Sequence, residues 1–406
     1  MADQGNLKIA WAESRMPVLM HLRKKYRETR PLRGVKIAGC LHVTKETGVL
    51  ARALKDAGAD VAWCGCNPLS TQDDVAAALA KEGISVYAWR GLSTEEYYWC
   101  IEQVLKIEPN ITLDDGADLV FTLHKKFPGL IRKLYGGTEE TTTGVHRLRA
   151  MADDGNLKYP LIAVNDAETK WEFDNVHGTG QSSLDGIIRS TNILIAGKNV
   201  VVSGYGHCGR GIGNRAKGLG AHVIVTEVDS INALKARLEG FEVMKMVDAA
   251  KIGDVFITAT GSKNVINKEH MRLMKDGAIL ANAGHFNVEV SVEDLEKIAD
   301  SKRLMRPNNV EYVVDGKRLY LIGEGRLVNL VAAEGHPSEV MDMSLSNQFL
   351  SILYLSENRN LEPKVHDISE KQDQMVAKIK LKTMGIEIDE LTEGQKKYIS
   401  SYDKGT

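Results

Sequence analysis

At 406 residues, with 43% hydrophobic and 26% charged positions, the chain has the length for two or three well-cored domains and an ordinary soluble composition. A formal net charge of −2 gives no electrostatic reason to expect nucleic acid or an anionic membrane as partner, and no apolar run reaches membrane-spanning length. The N-terminus lacks a signal peptide's apolar core, so a cytoplasmic location is expected. Five cysteines, an odd number scattered through strand-like segments, read as buried thiols and not as a disulfide framework.

The opening residues, to about Arg30, predict a helix, with Met16, Leu19, Met20 and Leu22 among basic positions. A regular alternation follows. Strands are expected at Val35–Gly39, Val61–Cys66, Ile84–Trp89 and Ile111–Leu113, separated by helices at Glu46–Ala57, Asp73–Lys81 and Thr94–Leu105. More helical sequence then leads to a strand at Pro160–Val164. Short buried-type runs between amphipathic helices argue for a parallel sheet covered on both faces.

A helix near Ser182–Ile195 is expected to join this half to a second one. There the run Val200-Val201-Val202 leads into Gly204-Tyr205-Gly206-His207-Cys208-Gly209, then a helix-like segment, then Val223-Ile224-Val225 ending on Glu227. This is the strand–turn–helix–strand pattern of a dinucleotide-binding unit. Gly204 allows the tight turn, Gly206 lets backbone approach a pyrophosphate, and Gly209 lets helix pack on strand. Glu227 suits both ribose hydroxyls and repels a 2′-phosphate, which favours NAD over NADP. Further strands are expected at Val255–Thr260 and Ala278–Ala283, and a long helix at Val340–Leu355 that returns to the first half. From Asn358 the chain is charged and mostly helical.

The expected fold is therefore α/β, with two Rossmann-like, doubly wound parallel-sheet domains joined by hinge helices and a small helical C-terminal extension. The boundaries read as 1–181 for a substrate-binding domain completed by about 338–368, 182–337 for an NAD-binding domain, and 369–406 for the extension.

Chemistry-bearing residues fall in clusters, most of them at the carboxyl ends of predicted strands: His42, Thr44 and Glu46; Asp114 and Asp115; Glu139 to Thr143; Asn165 with Lys170, Asp174 and Asn175; Asn282 with His285; Asn329 with His336. Each has an ordinary structural reading too. Asp114 and Asp115 suit a helix cap, and Lys170 with Asp174 suits a solvated helix pair. The position of most of them at carboxyl ends is what points to a ligand cleft. A lysine beside carboxylates is a base for a hydroxyl proton where its pKa is lowered, and its surroundings can shift that pKa in either direction. His270, His222 and His366 stand far from other ligand types, so no catalytic metal is expected.

Many stretches together resemble the S-adenosylhomocysteine hydrolase (adenosylhomocysteinase) family. They include Cys40-Leu41-His42 with Thr44 and Glu46, Asn67 to Asp73, Tyr87-Ala88-Trp89, Leu113 to Gly116, and Glu139 to Val145. The likeness continues through Asn165-Asp166, Lys170, Phe173 to Asn175, Gly204 to Gly211, Gly284-His285-Phe286, Glu324 to Leu330, and Gly335-His336-Pro337. The resemblance implies a tightly held NAD that is used and restored within each turnover. The ribose 3′-hydroxyl is oxidised, homocysteine is eliminated from C5′, water adds, and the ketone is reduced.

By the same resemblance, Lys170 and Asp174 act on the 3′-hydroxyl, His42 and Asp115 manage protons at C4′ and C5′, and Glu140 and His285 lie by the sugar. Thr44 and Glu46 meet the adenine, and His336 and Met341 close its pocket. Thr141, Thr142, Thr143, Asn175, Asn282, Glu227 and Asn329 accompany the three glycines at NAD. A homotetramer is implied as well. The chain departs from the family's pattern at Thr179, where a cysteine often stands, and at Leu345, where an aromatic is often present. It also ends at Lys404-Gly405-Thr406, short of the family's usual Lys- and Tyr-bearing tail, so a short-tail form with a differently held NAD is expected. Three alternatives stay open on the residues: an S-inosylhomocysteine hydrolase, a two-domain NAD-dependent hydroxy-acid dehydrogenase, and a non-catalytic nucleotide sensor.

Overall fold

The structure, a computed structural model, describes residues 1–402; Lys404 lies outside them. Two sheets organise the chain. The first has seven strands, all parallel, in the order Val365–Asp367, Leu161–Ala163, Gly136–Glu139, Ile111–Asp114, Lys36–Cys40, Asp60–Cys64, Ser85–Tyr87. The second has eight, in the order Ser301–Arg306, Asn309–Val314, Lys317–Ile322, Ala278–Asn282, Val255–Thr258, Asn199–Ser203, His222–Thr226, Glu242–Val243. Apolar side chains pack on both faces of each sheet, as buried parallel strands require.

In the first sheet the chain leaves Lys36–Cys40 toward one edge and later returns to Ile111–Asp114 on its other side. That switch point opens a crevice at the carboxyl ends, where His42 and Asp115 follow directly. The second sheet has its own switch point between Asn199–Ser203 and Val255–Thr258, where Gly204 and Thr260 follow.

Two helical segments link the sheets. One runs from Glu168 through a π-helical stretch, Trp171–Gly178, into the helix Thr179–Thr191, which ends on left-handed Asn192 (φ 53°). The other is Ser338–Glu357, buried along nearly its whole length; its Asp342 accepts from the backbone N–H groups of Val18 and Leu19. No helix among the described residues is long and apolar enough to cross a membrane.

Several expectations change. The opening helix is two, Ala2–Arg15 and Pro17–Thr29, because Pro17 disfavours helical backbone at Met16 (φ −117°, ψ 60°). Gly136–Glu139 is a central strand inside sequence read as helical; with two glycines in four residues it offers no apolar run to recognise. The second sheet is mixed, since Ser301–Ile322 forms an antiparallel ribbon at its edge. All six residues of Ser301–Arg306 are exposed, so no alternation marks it. The C-terminal stretch also gives the first sheet an edge strand, Val365–Asp367, before its helices at Glu370–Thr383 and Glu393–Ile399.

Candidate active site

A cavity of about 810 Å³ lies between the carboxyl ends of the two sheets, within the size range of small-molecule sites. His42, Thr44, Glu46, Asp115, Glu140, Lys170, Asp174, His285, His336 and Met341 all line it. So do Thr141, Thr142, Thr143, Asn175, Gly204, Gly206, Glu227 and Asn329. Two expected residues do not. Asn282 is fully buried, its Nδ2 donating to the carbonyls of Gly284, Phe286 and Gly325 and its Oδ1 accepting from Thr258 and Gly284; it is spent on holding the loop that carries His285. Gly209 sits behind the turn, where a Cβ would stand 1.9 Å from the Gly204 oxygen.

The π-helical stretch shapes the first cluster. Its widened turn puts positions four and five residues on from Lys170 on the same face. Lys170 Nζ thus lies 3.1 Å from Asp174 Oδ2 and 2.8 Å from Asn175 Oδ1, with Asn165 Oδ1 at 3.2 Å and Glu140 Oε1 at 4.0 Å. Burial works against the charge on Lys170, but the carboxylates of Asp174 and Glu140 outweigh it and raise the pKa above its ordinary value. The direction that the sequence left open is upward, because two nearby carboxylates outweigh desolvation. Glu140, buried and accepting from Ser344 Oγ and Gln348 Nε2, is pushed up to about 7, chiefly by burial.

His336 joins this cluster. Its Nδ1 donates to Asp174 Oδ1, and its Nε2 lies 3.0 Å from Asn329 Nδ2 and 3.2 Å from Thr179 Oγ1. An amide N–H can only donate, so Nε2 accepts and Nδ1 carries the proton.

The second cluster centres on Asp115. His42 Nε2 lies 3.5 Å from its Oδ2, and His285 Nδ1 lies 3.5 Å from its Oδ1. Burial lowers both imidazoles, His42 to about 4, so they stand neutral at neutral pH. His42 Nδ1 is 2.7 Å from Ser70 Oγ, whose own hydrogen goes to the Asn67 carbonyl. His42 therefore donates from Nδ1 and keeps Nε2 as a proton acceptor.

Cys66 Sγ also reaches Asp115 Oδ2, at 3.5 Å. His42, Cys66 and Asp115 thus offer ligand atoms within 4.8 Å of one another, a donor set that wide sequence spacing concealed.

At the third cluster Glu46, 1% exposed, accepts from Ser338 Oγ at 2.6 Å through Oε1. Thr44 caps the helix Lys45–Asp56, its side chain accepting from the Thr47 N–H.

On the other side of the cavity, Gly204 takes φ +90° with its Cα pressed toward the Ala259 carbonyl, while nothing lies within 4 Å of a Cβ at Gly206. The helix His207–Gly218 begins there with no side-chain cap, leaving its first N–H groups free for an anion. Glu227 accepts from the N–H groups of Tyr205, Val228 and Asp229. Asn329 Oδ1 and Ser203 Oγ, both buried, have no protein partner among the described residues.

Sequence reasoning missed Ser70, Cys66, Ser344 and Gln348, and named Asn165 without giving it a role. A usable signal existed for two: Ser344 and Gln348 are four apart in an otherwise core-forming helix, the spacing of one helical face.

A family model described as S-adenosyl-L-homocysteine hydrolase matches residues 1–129, and one described as its NAD binding domain matches residues 175–335. The chain is 59% identical to the adenosylhomocysteinase of Saccharolobus solfataricus, over 100% of this chain and 98% of that protein. It is 58% identical to the adenosylhomocysteinase of Archaeoglobus fulgidus, over 99% of this chain and 100% of that protein. It is also 56% identical to the S-inosyl-L-homocysteine hydrolase of Methanocaldococcus jannaschii, over 99% of this chain and 97% of that protein. Among solved structures, a dipicolinate synthase from Bacillus halodurans matches with a TM-score of 0.50 at 15% identity, over 81% of this chain and 100% of that one, which speaks to the fold alone.

Proposed function

The chain belongs to the S-adenosyl-L-homocysteine hydrolase family, and on that footing we propose that it hydrolyses S-adenosyl-L-homocysteine reversibly to adenosine and L-homocysteine. The observation that carries this reading is the meeting of the Lys170–Asp174 pair, the His42–Asp115–His285 cluster and Glu46 in one cavity beside the Gly204 turn.

NAD is the cofactor. The residues fit it: an uncapped helix start, an open Gly206, and the orphaned oxygen atoms of Asn329 and Ser203. Thr141, Thr142, Thr143, Asn175, Glu227 and Asn329 are the side chains that would hold it. When bound, NAD supplies a hydride acceptor for ribose C3′, a donor for its return, and a positive charge that opposes the one on Lys170. Relieved of its proton, Lys170 takes the proton of the 3′-hydroxyl, with Asp174 and Asn175 fixing its amine. Glu140 holds a neighbouring sugar hydroxyl. Oxidation at C3′ makes the C4′ proton acidic, and neutral His42, oriented by Ser70, accepts it through Nε2. Asp115 and His285 manage the proton given to the departing sulfur and taken from the incoming water. Closing the cavity between the two sheets keeps water off until elimination is done.

Glu46 and Thr44 meet the purine, with Met341 and His336 closing that end. A carboxylate accepts from the 6-amino group of adenine and repels a 6-oxo group, which favours the adenosyl substrate. The relative that acts on S-inosyl-L-homocysteine makes hypoxanthine the second reading. Incubation with each nucleoside thioether, assaying free thiol, nucleoside and bound cofactor together, tests both. Thiol release without stoichiometric free NADH supports hydrolysis; net NADH points to a simple dehydrogenase, and faster thiol release from the inosyl compound overturns the adenine assignment.

The division of labour proposed is substrate binding by 1–181 with 338–368 and NAD binding by 182–337. A homotetramer in the cytoplasm is part of the same proposal. Exposed Ile386, Ile388, Leu391, Tyr398 and Ile399 on the C-terminal extension support an oligomer contact, which light scattering checks.

A further inference from the structure

Lys45 stands at the first position of the helix Lys45–Asp56, where the helix dipole opposes a cation, and yet it is only 8% exposed. A buried lysine in an unfavourable helix position needs partners, and it has two. Its Nζ lies 3.3 Å from Glu46 Oε1 and 3.2 Å from Glu334 Oε2. Burial pushes the lysine toward neutrality, and those two carboxylates outweigh it, so the ammonium persists.

The consequence falls on Glu46. Its Oε1 takes both the Lys45 ammonium and the Ser338 hydroxyl, while Oε2 has no protein partner among the described residues and Glu46 lines the cavity. A carboxylate oxygen only accepts, so it tells a 6-amino from a 6-oxo purine when it is aimed at that position, and two contacts on Oε1 fix where Oε2 points.

Resting on the assignment of Glu46 to the purine, we propose that Lys45 is the positioning residue that sets purine selectivity: with Ser338 it fixes Oε1 of Glu46 in place, so that Oε2 is reserved for a 6-amino group.

The second partner adds a condition. Glu334 lies just before His336 in the segment entering Ser338–Glu357, and its Oε1 is tied to Arg189 at 3.2 Å. Lys45 therefore bridges the purine-reading carboxylate to the segment that delivers Ser338 and His336. Selectivity is complete only when that segment is seated.

The experiment compares kcat/KM for the adenosyl and inosyl thioethers in the NAD-loaded enzyme and in Lys45→Met, Lys45→Arg, Lys45→Gln and Glu46→Gln. The expected result is a fall of about tenfold or more in the adenosyl-to-inosyl ratio for Lys45→Met and Lys45→Gln, carried mainly by KM, with Lys45→Arg recovering most of it; this corresponds to about 1.4 kcal/mol in one charge-assisted hydrogen bond. Melting temperature and retained NAD identify any variant that fails to fold, and the other neutral variant then decides. If either folded neutral variant keeps the ratio within twofold while Glu46→Gln lowers it, Lys45 has no role in selectivity. If Glu46→Gln also leaves the ratio unchanged, or the unmodified enzyme prefers the inosyl compound, it is the purine assignment of Glu46 that falls.

Discussion

Replacing Asp174 by Asn removes one charge at nearly constant volume, and its effect is calculable from the surroundings. Asp174 is 3% exposed and bonded to both Lys170 and His336. Burial alone would raise its pKa, but His336 and Lys170 outweigh that and hold it well below the usual carboxylate range. Its stabilising contribution is therefore present above the unfolded value of about 3.9 and is lost as pH falls through the folded one. Lys170, raised by Asp174 and Glu140 against desolvation, contributes fully below about 10.4 and loses that contribution as pH rises through its folded value.

In Asp174→Asn the ammonium keeps the amide oxygens of Asn175 and Asn165 but has Glu140, at 4.0 Å, as its nearest anion. Breaking a buried pair from one side costs about 3–5 kcal/mol. The chain has one escape, which is to release the lysine proton. From a reference pKa of about 10.4 that costs about 4.6 kcal/mol at pH 7 but only about 1.9 kcal/mol at pH 9. The ceiling on the deficit falls as pH rises, opposite to the trend of an intact raised lysine. Thermal melts of both proteins with excess NAD, from pH 7 to 9, should show the gap between them narrowing. Turnover should drop by about 100-fold at pH 7, the low end of what a positioned proton-transfer group supplies. A gap that stays constant over this range refutes the reasoning, because Asp174 is then not the counter-charge of a protonated Lys170.

Other substitutions test the remaining clusters. Glu140, raised by burial to about 7, costs the fold increasingly as pH climbs from about 4.3 toward that value, by about 3–4 kcal/mol in full. Glu140→Gln should therefore gain melting temperature relative to the parent between pH 5 and 8, and parallel curves contradict this. Ser70→Ala frees His42 Nδ1 and should lower kcat about tenfold, the worth of roughly one neutral hydrogen bond, with KM little changed. Gly209→Ala drives a Cβ against the Gly204 carbonyl, so the purified protein should lose NAD absorbance while the far-UV spectrum is retained.

How much was legible follows from how local each signal is. The Gly204 turn was readable because strand, glycines, helix and Glu227 sit within one continuous stretch, and the physics that joins them is short-range. The strands Gly136–Glu139 and Ser301–Arg306 were not. One lacks apolar side chains and the other lacks a buried face, so each owes its pairing to neighbours distant in sequence. The site divides the same way. The ends of predicted strands marked His42 and Asp115, which line the cavity, whereas Asn282, marked in the same way, has its amide consumed by the loop around His285. A polar residue at a strand end signals that something needs a hydrogen bond there. It does not say whether that something is a ligand or the chain itself.

Lys170 has a raised pKa for a reason that sequence cannot supply. Composition around a lysine cannot give the sign of its shift, because burial and carboxylates pull in opposite directions and only distance decides between them. Here distance is set by the π-helical stretch, which brings Asp174 and Asn175 together onto Lys170, and by Glu140 arriving from a strand that sequence did not reveal. Lys45 repeats the arrangement at the purine end, with Glu46 and Glu334 as its carboxylates. Both lysines are buried, both are kept charged by two acids, and each has one acid on its own helical segment and another from elsewhere in the chain. Their charge state thus reports whether the parts of the fold are assembled. Loosening the segment that carries Glu334 should perturb the purine end and, through the His336–Asp174 bond, the sugar end too, whereas displacing the strand end that carries Glu140 should perturb the sugar end alone, because the lysines share no acid.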